Sequence, residues 1–287
     1  MSAATAPGAK PYYFIPQPSH WPITGSFALL LMGMGAAFWF NSYPAGPWLV
    51  LAGFCVLVFM MFGWFGSVIG ESEGHLYNRK VDLSFRWSMS WFIFSEVMFF
   101  SAFFGALFYI RVQSVPDLGG LTSKLVWPDY TAAWPTNGPY LNEQFTPMGA
   151  IGIPLLNTIL LVTSGFTLTV AHHALQAGHR GTLKVWLFLT IVLGFTFLGF
   201  QAYEYIHAYH ALNLKLTTGV YGSTFFMLTG FHGLHVTIGA IMLAVMLGRI
   251  LRGHFDRKHH FAFEAAAWYW HFVDVVWLLL FVLVYWL

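Results

Sequence analysis

Hydrophobic residues in this chain form long, nearly unbroken runs, unlike the short periodic stripes of a soluble protein. A helix that crosses a bilayer needs about 20 mostly apolar residues, and seven segments of the sequence meet this requirement. The sixth is longer than the hydrocarbon layer requires, so it is expected to tilt or to project beyond the membrane. The predicted spans are residues 23–40, 47–69, 84–110, 152–176, 184–208, 218–249 and 261–286.

The polar segments between these runs are short, with two exceptions. Residues 1–22 contain five prolines and one charged residue, Lys10, which predicts an extended cytoplasmic tail and no secretory signal. Residues 112–150 contain two Trp-Pro pairs, so we expect an irregular, exposed outer loop docked through its tryptophans. Residues 23–287 are predicted to form a single transmembrane domain. An all-α bundle follows because backbone polar groups cannot stay unpaired in lipid.

The lysine and arginine residues predict the orientation of the chain. Ten of them lie in segments on the same side as the N-terminus, and three lie on the opposite side. The positive-inside rule therefore places the N-terminus in the cytoplasm and the C-terminus outside. An odd number of spans agrees with this assignment.

Composition excludes several classes of protein. The chain is 57% hydrophobic and 8% charged, whereas a typical soluble domain carries about 25% charged residues. A net charge of +2 gives no reason to expect nucleic-acid binding. Cys55 is the single cysteine in the sequence, so intramolecular disulfides and thiolate clusters are impossible.

Ionisable residues inside the spans are the first candidates for function, because a charge near the bilayer centre costs at least about 2.5–3.5 kcal/mol. Glu264, His271 and Asp274 fall within roughly 80° of one another on a helix and form one polar stripe, which we expect to face protein. Glu96 lies in the middle of the third span and is predicted to be largely protonated. It either relays protons or forms a hydrogen bond to a neighbouring helix, and the second interpretation is favoured.

Histidines are a second group of candidates, since there are 13 of them. His232 and His235 are three residues apart in the sixth span, a spacing that suits a pair of metal ligands. A metal needs three or four converging ligands, however, and no acidic residue lies in that span. We therefore predict hydrogen bonds across a helix interface and no metal site. Histidines near the membrane surface either deliver protons or are ordinary interfacial residues. Glu204 lies with His207 and His210 in such a group near the outer surface, and we assign Glu204 to helix packing or subunit contact.

A basic group closes the sixth span. Arg249 and Arg252 are three residues apart, so both guanidinium groups can reach one phosphate, with His254 beside them. The simpler interpretation is that these residues only obey the positive-inside rule.

Five motifs together resemble one family, subunit III of the haem-copper cytochrome c oxidases. They occur in the family's order and cover the chain from about Trp21 to its C-terminus, whereas the N-terminal tail and the loop near 112–150 have no clear match. The motifs are SEVMFF (95–100), AHHAL (171–175), QAYEY (201–205), TGFHGLHV (229–236) and FEAAAWYWHFVDVVW (263–277).

The resemblance implies a fold in which the first two helices are separated from the other five by a V-shaped, lipid-binding cleft. It also implies that Arg249, Arg252 and His254 contact lipid head groups. A second lipid site would retain Glu71 and His75, but glycines stand there where relatives often have arginine. The position of Glu96 is the one that hydrophobic carbodiimides modify in the family.

The function that the resemblance implies is that of a subunit without catalytic residues or metal. The subunit would bind phospholipid, stabilise subunit I and sustain proton uptake in a proton-pumping cytochrome c oxidase of aerobic respiration. That complex would reduce oxygen with electrons from cytochrome c, using haem and copper held by partner subunits. Subunit I would be a direct partner, with subunit II and a small subunit IV nearby. A bacterial inner membrane is preferred over a mitochondrial inner membrane.

Three alternatives remain open from the sequence. The chain could belong to a quinol-oxidising relative, although the third subunits of that class often have only five helices. It could be a stand-alone ion channel or transporter, with the polar stripe lining a pore. It could also be a haem-binding electron carrier, which an absorption spectrum of the chain would reveal.

Overall fold

A computed structural model of the chain describes residues 14–141 and 144–287. Within these ranges the backbone is helical or irregular, and it contains no strand. Seven helices of the described part are long and apolar enough to cross a membrane. The predicted all-α class and the seven predicted spans are therefore confirmed.

The long helices lie close to the predicted spans. The first helix, α1, follows residues 14–20, and residues 1–13 of the predicted tail lie outside the described residues. Both α3 and α7 continue as π-helical turns, Ile110–Ser114 and Phe281–Trp286. The bounds are α1 Trp21–Phe40, α2 Gly46–Glu73, α3 Arg79–Tyr109, α4 Ile153–Ala177, α5 Arg180–Ala211, α6 Gly219–Leu251 and α7 Phe261–Leu280.

The largest differences from the predicted spans are at the two ends of α3. It begins at Arg79 rather than residue 84, because the Asn78 side chain accepts hydrogen bonds from the N–H groups of Lys80 and Val81. At its other end the backbone stays helical to Leu118. Hydropathy cannot register either extension, because charged residues at a helix end lie outside the hydrocarbon layer.

The expected irregular loop at residues 112–150 is wrong for its first part. Val115–Leu118 is helical, and Leu121–Lys124 adds one more helical turn. Pro116 suggests a break, but proline fits the first turn of a helix because its missing N–H would be unpaired there. Farther along, Trp134 packs edge-on against Tyr221 of α6, with 5.6 Å between ring centroids.

The chain divides into two compact units, of which the first ends at Phe85. In this first unit α1 and α2 pack through small residues. A Cβ added to Gly53 would lie 2.8 Å from the carbonyl oxygen of Ala28 and 2.7 Å from the Met32 side chain. Glycine therefore permits the close approach of the two backbones.

The second unit, Arg86–Leu287, has its core around α7. The Trp270 indole donates a hydrogen bond to the Ser164 hydroxyl of α4 at 2.9 Å. Trp277 does the same to Thr158, also at 2.9 Å, and both tryptophans are completely buried. The core therefore fixes α7 to α4 by direct side-chain bonds. The predicted division into a tail and one domain, the V-shaped cleft and the orientation stay predictions.

Candidate functional site

The polar stripe of α7 begins with an ion pair inside the chain. Arg86 of α3 donates from Nη1 to the Glu264 carboxylate oxygen Oε1 at 2.6 Å. The Arg86 guanidinium also lies over the Phe261 ring, 5.3 Å from its centroid. Both charged side chains are partly buried, so this pair joins the beginnings of α3 and α7.

The other two members of the stripe lie beside α4. The Nδ1 atom of His271 is 3.6 Å from Oδ2 of Asp274, and its Nε2 is 3.5 Å from the Thr169 hydroxyl. Asp274 is 9% exposed, and a Cβ added to Gly165 would overlap its carboxylate. The His271 side chain remains 43% exposed. The carboxylates of Glu264 and Asp274 therefore pack inside the chain, whereas the His271 imidazole is partly exposed at its surface.

Glu96 forms a hydrogen bond with a histidine of another helix. Its Oε2 atom is 2.8 Å from Nε2 of His235 in α6. The other ring nitrogen, Nδ1, lies 2.6 Å from the carbonyl oxygen of Phe231. A carbonyl can only accept, so Nδ1 carries a proton. Nε2 then either accepts a hydrogen bond from a neutral Glu96 carboxyl or, when it also carries a proton, donates one to the Glu96 carboxylate. The carbodiimide reactivity of Glu96 stays a prediction.

His232, one turn away, faces a different partner. It is 1% exposed, and its Nε2 lies 3.2 Å from the carbonyl oxygen of Val273 in α7. Its ring packs against Trp277 at a centroid distance of 5.1 Å. The two histidines therefore connect α6 to two different helices. Within residues 14–141 and 144–287, no group of three or more His, Cys, Asp or Glu residues could hold a metal ion.

The basic residues at the end of α6 differ from one another in their surroundings. Arg249 is 6% exposed, its guanidinium lies 4.2 Å from the centroid of the Phe255 ring, and its Nε donates to Nδ1 of His254 at 3.4 Å. Arg252 is exposed, and His254 is half-buried. Of the two arginines, Arg252 therefore offers the accessible guanidinium.

Arg180 was not expected to belong to this group. It is the first residue of α5, and its guanidinium donates to the carbonyl oxygens of Ile250, His254 and Phe255 at 3.3, 2.9 and 3.1 Å. These carbonyls belong to the last turn of α6 and the loop that follows it, where backbone acceptors lack helical partners. The sequence signal that could have indicated this contact is the position of Arg180. It begins α5, and the predicted topology places the start of α5 on the same side of the membrane as the end of α6.

Comparison with known proteins decides the family. Residues 10–287 match the family described as Cytochrome c oxidase subunit III. Cytochrome c oxidase subunit 3 of Dugong dugon is 44% identical over 276 residues, covering 96% of this chain and 96% of the relative. The proteins of the same description from Carassius auratus and Bos mutus grunniens are 44% and 43% identical, with the same coverage.

The chain belongs to the cytochrome c oxidase subunit III family.

Membership confirms the resemblance that the five motifs suggested. A subunit III is a component of an oxidoreductase complex, the haem-copper oxidase, and so has partner subunits. The membrane-length helices and the family together place the chain in an inner membrane. The relatives named above are from animals, so they give no support to the preference for a bacterial membrane.

The second predicted lipid site of this subunit III lies in the first compact unit. The Tyr77 hydroxyl donates to Oε2 of Glu71 at 2.7 Å. Burial, followed by the Glu71 hydrogen bond and charge, raises the pKa of Tyr77 well above its usual value. His75 is exposed and has a positive φ of 52°. The Glu71 carboxylate of this predicted site is therefore already hydrogen-bonded to the Tyr77 hydroxyl.

Glu204 is the remaining predicted residue of this subunit III, and it lies near the end of α5. It is 1% exposed and lines a cavity. Gln201 and Tyr285 are its polar neighbours. Gln201 belongs to the QAYEY motif, but neither residue is predicted from the sequence as a site residue. Nothing in an isolated span indicates that a glutamine and a terminal tyrosine converge on this acid.

Proposed function

We propose that this chain is a non-catalytic subunit III of a proton-pumping cytochrome c oxidase that binds phospholipid, stabilises subunit I and sustains proton uptake. The observation that carries the proposal is that two partly buried acids of the membrane spans, Glu96 and Glu264, are bonded to side chains of other helices in the same chain. Glu96 bonds to His235 and Glu264 to Arg86, so these groups join helices of the chain to one another. In this proposal haem and copper belong to partner subunits, and cytochrome c supplies the electrons.

The exposed face of α7 is the best candidate for contact with subunit I. His271 lies on it together with the exposed apolar residues Val275, Leu278 and Leu279. A half-exposed imidazole is costly against lipid, but it can form a hydrogen bond to another polypeptide. Subunit II and a small subunit IV would be neighbours through the same complex.

The contact with subunit I can be tested by substitution of His271. His271→Ala should lower the amount of this chain retained with subunit I during purification in detergent, because one hydrogen bond between the chains is lost. His210→Ala is the matched control, since His210 is an exposed histidine at the end of α5. Equal retention of wild type and both variants would contradict the contact.

Lipid binding should depend on Arg252 rather than Arg249. Arg252 is exposed, whereas Arg249 is buried against Phe255. A guanidinium binds phosphate through paired N–H donors only where lipid can reach it. His254, half-buried beside them, is the third group of this site.

Mass-spectrometric counting of phospholipid in the purified complex tests this assignment. Arg252→Ala should release phospholipid from the complex and shorten its active lifetime. Arg252→Lys is the control that keeps the charge. An unchanged lipid count in Arg252→Ala would refute the site, and loss in Arg249→Ala alone would assign the head group to the other arginine.

Membership in the family removes the reason to consider a stand-alone channel, transporter or electron carrier. The chain fits a subunit of a quinol-oxidising relative less well, because it has both α1 and α2, whereas third subunits of that class often have only five helices. Reduction of the complex by cytochrome c and not by quinol would distinguish the two electron donors.

A further inference from the structure

A polar spot lies near the middle of the membrane span of α7, where α7 meets α4. The His271 side chain of α7 is 43% exposed, and Thr169 of α4 is exposed beside it. Exposed apolar residues continue the same helix faces, with Val162 and Phe166 on α4 and Val275 on α7. Polar groups at this depth are costly against lipid, so the spot indicates a surface that another polypeptide covers.

Asp274, next to this spot, differs from two other acids of the spans. Glu96 and Glu264 each bond to a side chain of another helix. Asp274 is 9% exposed, and its Oδ1 atom has no hydrogen-bond partner among the described residues. Its Oδ2 atom lies 3.6 Å from Nδ1 of His271 on the same helix. A buried acid is costly in a span, so its place beside the imidazole points to a role in the contact that His271 makes.

Gly165 of α4 leaves the space that the Asp274 carboxyl occupies. A Cβ added to Gly165 would overlap Oδ2 of Asp274 and would lie 3.5 Å from Nδ1 of His271. A side chain at this position would therefore push the carboxyl away from the imidazole. The glycine keeps the acid and the imidazole next to each other.

Thr169 faces the other ring nitrogen of His271. Nε2 is 3.5 Å from the Thr169 hydroxyl oxygen, and that hydroxyl donates its proton to the carbonyl oxygen of Gly165 at 3.0 Å. The threonine can therefore only accept from Nε2, so Nε2 carries a proton. Distances of 3.5 and 3.6 Å exceed the roughly 2.7–3.2 Å of a strong N–H···O bond. The two oxygens consequently orient the ring and leave its Nε2–H group able to bond to a further acceptor.

We propose that Asp274 is a positioning residue for the contact between this chain and subunit I. Together with Thr169 it holds the His271 ring so that Nε2–H meets an oxygen acceptor on a membrane helix of the partner. That acceptor is a backbone carbonyl or a side-chain oxygen. The inference rests on the proposed contact at His271, and it specifies which kind of group the partner presents there.

Retention of the chain with subunit I during purification in detergent tests the role of Asp274. Asp274→Leu removes both carboxyl oxygens and should lower retention by about the same factor as His271→Ala. Asp274→Asn keeps an oxygen that accepts from Nδ1 and should recover most of the retention. Wild-type retention in Asp274→Leu, together with a loss in His271→Ala, would refute the positioning role and leave the contact at His271 intact. Unchanged retention in His271→Ala would remove the contact itself.

A substitution of Gly165 tests the same role without removing the acid. Gly165→Ala displaces the Asp274 carboxyl and should lower retention as Asp274→Leu does. Gly233→Ala in α6 is the matched control, because no atom lies within 4 Å of a Cβ there. All variants are compared at equal amounts of chain in the membrane, so that a folding defect is not counted as a weaker contact. Equal retention of the two glycine variants would count against the proposal.

A double variant separates positioning from a general structural effect of the acid. Because Asp274 acts through His271 in this proposal, Asp274→Leu added to His271→Ala should cause no further loss of retention. Additive losses would show that the acid stabilises the chain independently of the histidine, and the positioning role would then be wrong.

The kind of group on the partner is tested at His271 itself. His271→Lys offers N–H donors and no acceptor, whereas the carboxylate of His271→Glu offers acceptors and no donor. The lysine variant should retain more of the chain with subunit I than His271→Ala, and the glutamate variant no more than His271→Ala. The reverse order would overturn the oxygen acceptor on the partner.

Discussion

At the scale of single residues, two polar side-chain pairs of the second unit join different helices. The Arg86–Glu264 ion pair connects α3 with α7, and the Glu96–His235 hydrogen bond connects α3 with α6. Each pair keeps a polar side chain away from lipid, where an unpaired charge would be costly. The position of α3 against its neighbours therefore depends on two polar contacts as well as on apolar packing.

Breaking the ion pair of Arg86 and Glu264 should destabilise the second unit. Arg86→Gln or Glu264→Gln leaves one partly buried charge without its partner. The expected loss is about 1–2 kcal/mol, below the ~3–5 kcal/mol of a fully buried pair because both side chains are partly exposed. Thermal unfolding of the complex in detergent measures the change.

A double-mutant cycle isolates the pair from other effects of each substitution. Arg86→Gln combined with Glu264→Gln should cost less than the sum of the two single losses, since neither charge is then left alone. Additive losses would show that the two side chains do not interact.

These pairs also show what the sequence can and cannot predict at this scale. The unusual residues were visible, since Glu96, His235, Glu264 and Asp274 stand out in apolar spans. Their partners were not, because Arg86 and Glu264 are 178 residues apart in sequence. The contacts depend on how each helix is rotated about its axis. A span apolar on nearly all faces gives little information about that rotation.

At the scale of helices, close packing in the first unit relies on glycine. Gly53 of α2 faces the backbone of α1 at Ala28, and a side chain there would meet backbone atoms that cannot move aside. Helices in membranes gain association energy from such close approach, since burial of apolar surface from water does not contribute. The number and approximate bounds of the helices followed from hydropathy, whereas the contact between α1 and α2 did not.

Substitution of Gly53 should weaken the association of α1 with α2. In Gly53→Ala the new methyl group would overlap the Ala28 carbonyl and Met32, and overpacking of this kind costs about 1–3 kcal/mol. Gly66→Ala is the matched control in the same helix, because no atom lies within 4 Å of a Cβ there. Thermal unfolding in detergent should separate the two variants. Equal stability would show that α1 and α2 do not pack closely at Gly53.

At the scale of the whole molecule, the chain is a membrane-spanning component of a larger oxidase complex. Several of its described polar side chains stabilise contacts between helices. His271 is exposed on one face of α7, and Arg252 is exposed at the end of α6. We infer that the subunit maintains the environment of the reaction centre and takes no part in oxygen reduction. The family was predictable from five motifs, but the cavity at Glu204 was not, because it forms where the segment before α4 meets the start of α4 and the end of α5.

Selective removal of this chain from the purified oxidase, followed by measurement of oxygen consumption over time, tests the central claim most directly. The remaining complex should keep its haem absorption and its initial rate of oxygen reduction per haem, and should lose activity sooner during turnover. An initial rate or haem content that falls in proportion to the amount of chain removed would contradict the account.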